Sequence, residues 1–264
     1  MRIVIADTVT DTCLALTEAM VGVIKSIHDR DIYLAISGGT TPAKLFDLWA
    51  HRFEHEINWK RIQLFWVDER CVAPSDKESN YRMTVSHLLT RLPFTEKHIH
   101  RIHGEASPED EILRYEEIVR KLLPWDNGIP VFDLILLGIG TDGHTASLFP
   151  GDELPDVSEE VICDATTKVC FNPEDFIQDK PIYKVTRKPL SPQKRITMTL
   201  PLINRAHNVF FLATGSDKSR VISDLFHQTA DAENYPAYYV RPLDGKLICF
   251  LDRDAISEAC ISPK

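Results

Sequence analysis

The strongest constraint on the fold is the alternation of short apolar runs, rich in Ile, Val and Leu, with longer amphipathic segments. Apolar runs of this length are typical of strands buried on both faces, and the segments between them have the pattern of helices that cover a sheet. The sequence therefore predicts an α/β fold in which helices flank a largely parallel, Rossmann-like sheet. The predicted strands are residues 3–5, 32–36, 63–67, 134–137, 195–199, 209–213 and 247–251.

The 264 residues contain no linker rich in Pro, Gly or Ser, no low-complexity block and no internal repeat. Because a boundary between domains is usually marked by such a feature, we predict a single domain over residues 1–264. Residues 152–194 lack a clear periodicity and carry five prolines, so we predict irregular structure with short strands there.

The charge balance argues against one class of partner. Thirty Lys and Arg residues against 39 Asp and Glu residues give a formal net charge of −9 at pH 7. Such a chain repels polyanions and has no basic run, so we expect no nucleic-acid partner. A small anion can still bind where a few cations and backbone N–H groups converge.

Membrane and metal chemistry are not indicated either. The chain has no stretch near the roughly 18 consecutive apolar residues that a membrane span needs, so we expect a cytoplasmic protein with no membrane partner. Six cysteines are scattered without a Cys-x-x-Cys pair, which argues against a zinc site and a disulfide framework. No motif supplies the three ligands of a catalytic zinc, so we expect neither a metal nor an organic cofactor.

Four polar segments occur at or after predicted strands, and in a parallel sheet the loops that follow the strands meet at one edge, where ligands bind. In the first segment, two glycines, hydroxyl groups and a following helix N-terminus with Thr41 as its N-cap are suited to an anion. A tight turn and a helix start would explain the same residues. The predicted phosphate cradle consists of Ser37, Gly38, Gly39 and Thr40.

The second segment follows the strand at residues 63–67. Asp68 and Arg70, with Asn80 a few residues later, are suited to bind sugar hydroxyls and an oxyanion, with Arg70 held by an acidic neighbour. A cluster of surface charges is the alternative interpretation.

The third segment is a buried strand, residues 134–137, that continues into a loop with three glycines and then Asp142 and His144. Glycines allow backbone conformations that other residues resist, and histidine is suited to acid and base catalysis near neutral pH. A lone histidine is more often structural, but its position in a glycine-rich loop at a strand end favours a catalytic role.

The fourth segment pairs Arg195 with Lys218, which follows the strand at residues 209–213. Both side chains are suited to bind a phosphate, the arginine through two parallel hydrogen bonds and the lysine as a point charge. Both could instead be ordinary exposed cations. A cation at a helix start is unfavourable for the helix, which favours a functional role for Lys218.

Together these segments resemble the 6-phosphogluconolactonase family, within the larger group of glucosamine-6-phosphate isomerases and deaminases that share one α/β fold. The likeness covers nearly the whole chain and is most specific in residues 138–151, because related deaminases differ after the Gly-His pair. The other matching segments, in the family's order, are Ser-Gly-Gly-Thr-Thr-Pro, Asp-Glu-Arg, Ser-Asn, Arg-Ile-Thr-Met-Thr-Leu-Pro and Gly-Ser-Asp-Lys.

This resemblance implies hydrolysis of 6-phospho-D-glucono-1,5-lactone to 6-phospho-D-gluconate, the second step of the oxidative pentose phosphate pathway. His144 would be the general base and Arg70 a residue that binds substrate and stabilises charge. Arg195, Lys218 and the loop of residues 37–40 would bind the phosphate. Asp142 would orient His144, and the expected partner is the small-molecule substrate of a monomer or homodimer.

Two other functions fit parts of the pattern. An isomerase or deaminase of a hexosamine phosphate also uses a loop histidine on this fold, but the sequence after His144 argues against it. A sugar-phosphate sensor without turnover would lack the base or carry a DNA-reading segment. The chain departs from the family at residues 171–191 and in the bulky tyrosines of residues 235–240.

Overall fold

The structure, a computed structural model, describes residues 1–126, 128–152, 162–163, 168–169, 181–189, 191–229 and 231–259. The strands in these residues are β1 (Arg2–Ala6), β2 (Ile32–Ile36), β3 (Ile62–Trp66), β4 (Asp68–Arg70), β5 (Ile99–His100), β6 (Trp125–Asp126), β7 (Ile129–Pro130), β8 (Leu134–Leu137), β9 (Ile162–Cys163), β10 (Lys168–Val169), β11 (Tyr183–Arg187), β12 (Lys194–Met198), β13 (Asn208–Ala213) and β14 (Lys246–Asp252).

The α-helices in the described residues are α1 (Val9–Ser26), α2 (Thr40–Arg52), α3 (Asn80–Thr84), α4 (Pro108–Leu122), α5 (Leu200–Asn204) and α6 (Ser219–His227). A π-helical turn at Val85–Leu89 continues α3. The short 3-10 turns are Trp59–Arg61, Glu96–His98, Ser216–Lys218, Ala232–Asn234, Pro236–Tyr239 and Asp254–Ile256.

Seven parallel strands form the central sheet, in the order β1-β14-β13-β8-β2-β3-β5. All residues of β8 are buried, and four of the five residues of β2 are buried as well. Strands covered on both faces need apolar side chains at nearly every position, which is why they appear in the sequence as continuous apolar runs. The predicted α/β fold with a largely parallel sheet is confirmed.

Helix α1 shows how the flanking layer is built. Leu16, Met20 and Ile24 recur at four-residue spacing and are buried, so they form one apolar stripe. The helix packs with this stripe on β14 and β1, beside α2. Its N-cap Thr8 accepts a hydrogen bond from the backbone N–H of Asp11, which satisfies one donor of the first turn.

The strand predicted at residues 195–199 does not belong to the central sheet. It is β12, which lies antiparallel between β11 and β4 in a separate three-stranded sheet. Its polar residues Arg195 and Thr197 alternate with the apolar residues Ile196 and Met198, and such alternation is typical of antiparallel strands rather than buried parallel ones. The sequence prediction grouped residues 195–199 with the strands of the main sheet, whereas their period of two places them in an antiparallel sheet.

The helix predicted to have Thr41 as its N-cap starts two residues earlier. Gly39 occupies the N-cap with φ 123°, a backbone conformation that residues with a side chain rarely adopt, and no side chain caps the helix. Most of the region predicted to be irregular, residues 152–194, lies outside the described residues. No helix among the described residues has the length and apolar character to cross a membrane.

The chain reverses its direction across the central sheet between β2 and β8. From β2 it proceeds to β3 and β5 on one side, and from β8 to β13 and β14 on the other. Loops on either side of such a point diverge and leave a crevice at the carboxyl ends of the strands. The topology therefore provides a binding crevice between residue 37 and residue 138.

Candidate active site

A cavity of about 220 Å³ lies at this crevice. Three loops of the central sheet surround it, after β2, β8 and β13, together with the three-stranded sheet. All of the predicted site residues except Asp142 line the cavity, namely Ser37, Gly38, Gly39, Thr40, Asp68, Arg70, Asn80, His144, Arg195 and Lys218.

The loop after β2 brings a helix N-terminus to the cavity. Gly39, Thr40 and Thr41 line the cavity, and Thr40 and Thr41 belong to the first turn of α2, where backbone N–H groups have no acceptor within the helix. The hydroxyl of Ser37 donates to the carbonyl oxygen of Leu136 at 2.8 Å. Its proton is therefore used to join β2 and β8, and the anion-binding potential of this loop lies in its backbone.

Strand β4 directs alternate side chains to opposite sides. Asp68 and Arg70 line the cavity, whereas Glu69 accepts hydrogen bonds from the backbone N–H groups of Asn80 and Tyr81, both at 2.8 Å. Burial raises the pKa of the Glu69 carboxyl, although these backbone bonds act in the opposite direction. Glu69 thus holds the start of α3 and fixes Asn80 beside the cavity.

Arg70 and Arg195 are paired across β4 and β12 and line the same cavity. Among the described residues, neither guanidinium has a salt bridge to a carboxylate, and the Nε atom of each is buried without a hydrogen bond. Burial, followed by the positive charge of Arg70, lowers the pKa of Arg195. Two adjacent cations without a carboxylate partner are a strong potential site for an anion.

The prediction that an acidic neighbour holds Arg70 is wrong. Its Nη1 donates to the backbone carbonyl oxygen of Glu78 instead. Among the described residues, the hydrogen bond that Glu69 accepts from Arg70 comes from the backbone N–H and not from the guanidinium. The reason is the pleat of β4, which turns Glu69 away from the side chain of Arg70.

A buried network joins Asn80, Asp68, Ser147 and Arg195. The Asn80 amide donates to the backbone carbonyl and the Oδ1 of Asp68, at 2.9 and 3.3 Å. The Ser147 hydroxyl donates to Asp68 Oδ2 at 2.6 Å, and Arg195 Nη1 donates to the Ser147 hydroxyl at 3.2 Å. Both Nδ2 contacts of Asn80 are therefore made with Asp68, so Asn80 primarily positions that carboxylate.

The loop after β8 presents the histidine. His144 Nδ1 lies 2.5 Å from Asp142 Oδ1, and the imidazole ring packs 5.0 Å from the ring of Phe149 between centroids. Gly140 leaves room for this pair, since a Cβ there would lie 2.0 Å from His144 Nδ1. Gly143 has φ 80°, and a Cβ there would meet the ring of Tyr235 at 2.2 Å.

Asp142 is ionised near neutral pH. Burial acts to raise the pKa of its carboxyl, but the hydrogen bond and charge of His144 outweigh burial and lower the pKa to about 2. An ionised carboxylate can only accept hydrogen bonds, so the proton between the two groups belongs to His144 Nδ1. The Nε2 atom of a neutral His144 then carries the lone pair that a general base needs.

Lys218 also lines the cavity, from the 3-10 turn that precedes α6, and its Nζ is 3.4 Å from the exposed Asp217. Asp252 fixes the start of this turn, because its two carboxylate oxygens accept from the backbone N–H of the N-cap residue Gly215 at 3.0 and 3.1 Å. Asp252 is buried and also accepts from the N–H of Ala255 at 2.8 Å.

Comparison with known proteins establishes the family. A model of the family described as glucosamine-6-phosphate isomerases/6-phosphogluconolactonase matches residues 6–249. The chain belongs to this family. A 6-phosphogluconolactonase of Treponema pallidum (strain Nichols) is 39% identical over 195 residues, which cover 74% of this chain and 72% of that protein. The chain is thus an enzyme of the glucosamine-6-phosphate isomerase/6-phosphogluconolactonase family, and several of its relatives are named 6-phosphogluconolactonase.

Solved structures of the family have the same fold. The crystal structure of devB protein matches with a TM-score of 0.83 at 32% identity and covers 97% of this chain and 98% of that one. The 6-phosphogluconolactonase of Trypanosoma brucei matches with a TM-score of 0.78 at 25% identity, again over 97% of this chain and 98% of the other. The resemblance seen in the sequence motifs is therefore confirmed.

The sequence motifs did not single out two parts of the site. Ser147 and Phe149 lie in the family's glycine-histidine segment, but neither has a charge or an unusual neighbour that would mark it. The described residues contain no group of three or more His, Cys, Asp or Glu residues arranged to hold a metal ion. The groups that line the cavity include an imidazole, a carboxylate, three cations and threonine hydroxyl groups.

Proposed function

We propose that this chain hydrolyses 6-phospho-D-glucono-1,5-lactone to 6-phospho-D-gluconate, with His144 as the general base. The observation that carries the proposal is the Asp142–His144 pair, 2.5 Å apart, beside a cavity whose two arginines have no carboxylate salt bridge among the described residues. A base and an anion site in one crevice suit an ester that carries a phosphate group. The names of the relatives support this substrate.

In the proposed reaction, His144 Nε2 removes a proton from water as the water oxygen attacks the lactone carbonyl carbon. The C=O bond opens to a tetrahedral oxyanion, which Arg70 stabilises from the wall of the cavity. When the carbonyl reforms, the bond to the ring oxygen breaks, and the imidazolium returns its proton to that oxygen. The product carboxylic acid then ionises.

Asp142 keeps the imidazole in the tautomer that this step needs. Its carboxylate holds the proton on Nδ1 and also accepts the backbone N–H of His144 at 3.2 Å, so one group fixes both the ring and the loop. It also stabilises the imidazolium that forms when the base takes a proton.

The phosphate of the substrate would bind between Arg195, Lys218 and the N-terminus of α2. Its role would be to hold the carbonyl beside His144, so that binding energy from a group remote from the reaction accelerates the step. Water, a base and fixed cations are sufficient for ester hydrolysis, so we propose that the reaction uses no metal and no organic cofactor.

The test is the hydrolysis of freshly generated 6-phosphogluconolactone by the wild-type chain and the His144→Ala variant, with buffer as the blank because lactones open spontaneously. We expect clear acceleration by the wild type and a loss of about 100- to 10,000-fold in kcat in the variant. His28→Ala is the matched control, because His28 is exposed just before β2, at the end of the strand away from the cavity.

Each outcome has a definite meaning. Wild-type rates equal to buffer would reject the lactonase proposal, and turnover of a hexosamine phosphate would then be measured as the activity of the other branch of the family. A wild-type kcat in the His144→Ala variant would leave the lactonase proposal standing and reject His144 as its general base. Equal losses in His144→Ala and His28→Ala would mean that the effect comes from folding.

A further inference from the structure

We propose that Ser147 is a positioning residue that keeps the Arg195 guanidinium available for the substrate phosphate by linking it to Asp68 through a hydroxyl group. The inference rests on the proposed function, because it concerns how the anion site of the same cavity is held. The serine lies three residues after His144 in the chain and is fully buried.

The direction of the hydrogen bonds follows from proton counting. A serine hydroxyl has one proton, and here it is donated to Asp68 Oδ2 at 2.6 Å. The oxygen of Ser147 therefore accepts from Arg195 Nη1, which lies at 3.2 Å. The chain of bonds runs from the guanidinium through the hydroxyl to the carboxylate, so Asp68 restrains Arg195 without touching it.

The consequence concerns the donors of Arg195 that remain. A direct ion pair with Asp68 would occupy two N–H groups of the planar guanidinium, as paired arginines and carboxylates commonly do. In the described residues no such pair forms, and Nη1 makes its bond to the hydroxyl. The guanidinium also lies over the ring of Phe149, with its Cζ 5.5 Å from the centroid. The guanidinium is thus held by the Phe149 ring on one face and by Ser147 at Nη1, and its other N–H groups can donate to an anion.

The backbone of Ser147 is held independently of its hydroxyl. Its N–H donates to Thr197 Oγ1 at 3.0 Å, and its carbonyl accepts from Thr186 Oγ1 at 2.7 Å. The preceding residue, Ala146, has φ 49°, a left-handed conformation that is unfavourable for a residue with a Cβ. The loop thus adopts a strained conformation immediately before the serine that contacts both charged groups.

The experiment compares Ser147→Ala with Thr186→Val. Each variant removes one buried hydroxyl that hydrogen-bonds at residue 147. Ser147→Ala loses the bonds to Asp68 and from Arg195, whereas Thr186→Val loses only the bond to the Ser147 carbonyl and leaves the link between Arg195 and Asp68 intact. Binding of 6-phosphogluconate and of inorganic phosphate is measured by calorimetry, lactone hydrolysis is measured for KM and kcat, and Tm reports stability.

We expect Ser147→Ala to weaken binding of 6-phosphogluconate and to raise KM by about 10-fold, with kcat changed much less, because a freed Arg195 can pair with Asp68. Thr186→Val should lower Tm but leave binding and KM within about twofold of wild type, since its hydrogen bond carries no charge. If Ser147→Ala folds poorly, Ser147→Cys fills the same space with a weak donor and should weaken binding severalfold.

Equal binding changes in Ser147→Ala and Thr186→Val, or wild-type binding in Ser147→Ala or in Ser147→Cys, would overturn the role of Ser147. So would a wild type that binds neither 6-phosphogluconate nor phosphate. A wild type that binds 6-phosphogluconate without hydrolysing the lactone would reject the proposed function alone, and the comparison of the two variants by binding would still decide the role of the serine.

Discussion

The arginines near the two ends of the neighbouring strands β2 and β8 differ in whether they have a carboxylate partner. At the amino ends, Arg30 donates to both oxygens of Asp133 at 2.6 and 2.7 Å, and the N–H of Tyr33 donates to the same carboxylate at 2.9 Å. At the carboxyl ends, Arg70 and Arg195 line the cavity without a carboxylate salt bridge among the described residues.

The difference separates stability from function. A buried carboxylate such as Asp133, 1% exposed in its side chain, needs a partner to be tolerated, and Arg30 supplies it. A pair of arginines without such a partner costs stability, and the cost is offset only when an anion binds. The amino ends of β2 and β8, here called the amino edge, therefore carry a structural contact. Their carboxyl ends, here called the carboxyl edge, carry a binding site.

The largest effect is expected at Arg195. Arg195→Met should raise KM for the phosphorylated lactone by about 100-fold, because charge-assisted hydrogen bonds to the phosphate are lost. Its Tm should change little or increase, since a buried cation is removed. Arg187→Met, on an exposed position of β11 in the same small sheet, is the control and should keep the wild-type KM. An unchanged KM in Arg195→Met would contradict the carboxyl-edge interpretation.

The opposite result is expected at the amino edge. Arg30→Met should leave kcat and KM at wild-type values and reduce the free energy of unfolding by about 1–3 kcal/mol, because Asp133 loses its charged partner. Urea titration monitored by circular dichroism measures the change, and Arg52→Met, an exposed position at the end of α2, serves as the control. A loss of activity without a loss of stability would break the comparison.

A smaller effect, dependent on pH, is expected at Asp142. The folded pKa of about 2 is below the ordinary value of 3.8, so the interaction with His144 stabilises the fold above about pH 4 and is lost as the pH falls toward 2. The unfolding free energy of wild type should therefore decrease more steeply over that interval than that of Asp142→Asn. Because the carboxylate is partly exposed, added salt should reduce the difference. Parallel curves for the two proteins would rule out the pairing.

The central sheet was predictable because its strands are buried on both faces. The apolar runs at residues 32–36 and 134–137 coincide with β2 and β8. The three-stranded sheet was not predicted from the sequence, because β4 is only three residues long and β12 alternates polar and apolar residues. The family match ends within the predicted domain of residues 1–264, and the extent of that domain stays a prediction.

Residue types in the site were predictable, whereas their contacts were not. Histidine and arginine are conspicuous in strand-end loops, so His144, Arg70 and Arg195 could be selected from the sequence. The link from Ser147 to Asp68 joins residues 79 positions apart, and nothing local in the sequence encodes it. The roles assigned to the site residues stay predictions until the variants are measured.

The most direct test of the claim that the carboxyl-edge cations bind a phosphate is the substrate preference of the wild-type chain. The ratio of kcat/KM for freshly prepared 6-phosphogluconolactone to kcat/KM for unphosphorylated gluconolactone is measured under the same conditions, with spontaneous opening subtracted. We predict a preference of at least about 100-fold for the phosphorylated lactone. Comparable values for the two lactones would contradict the claim and leave the two arginines of the cavity without a ligand.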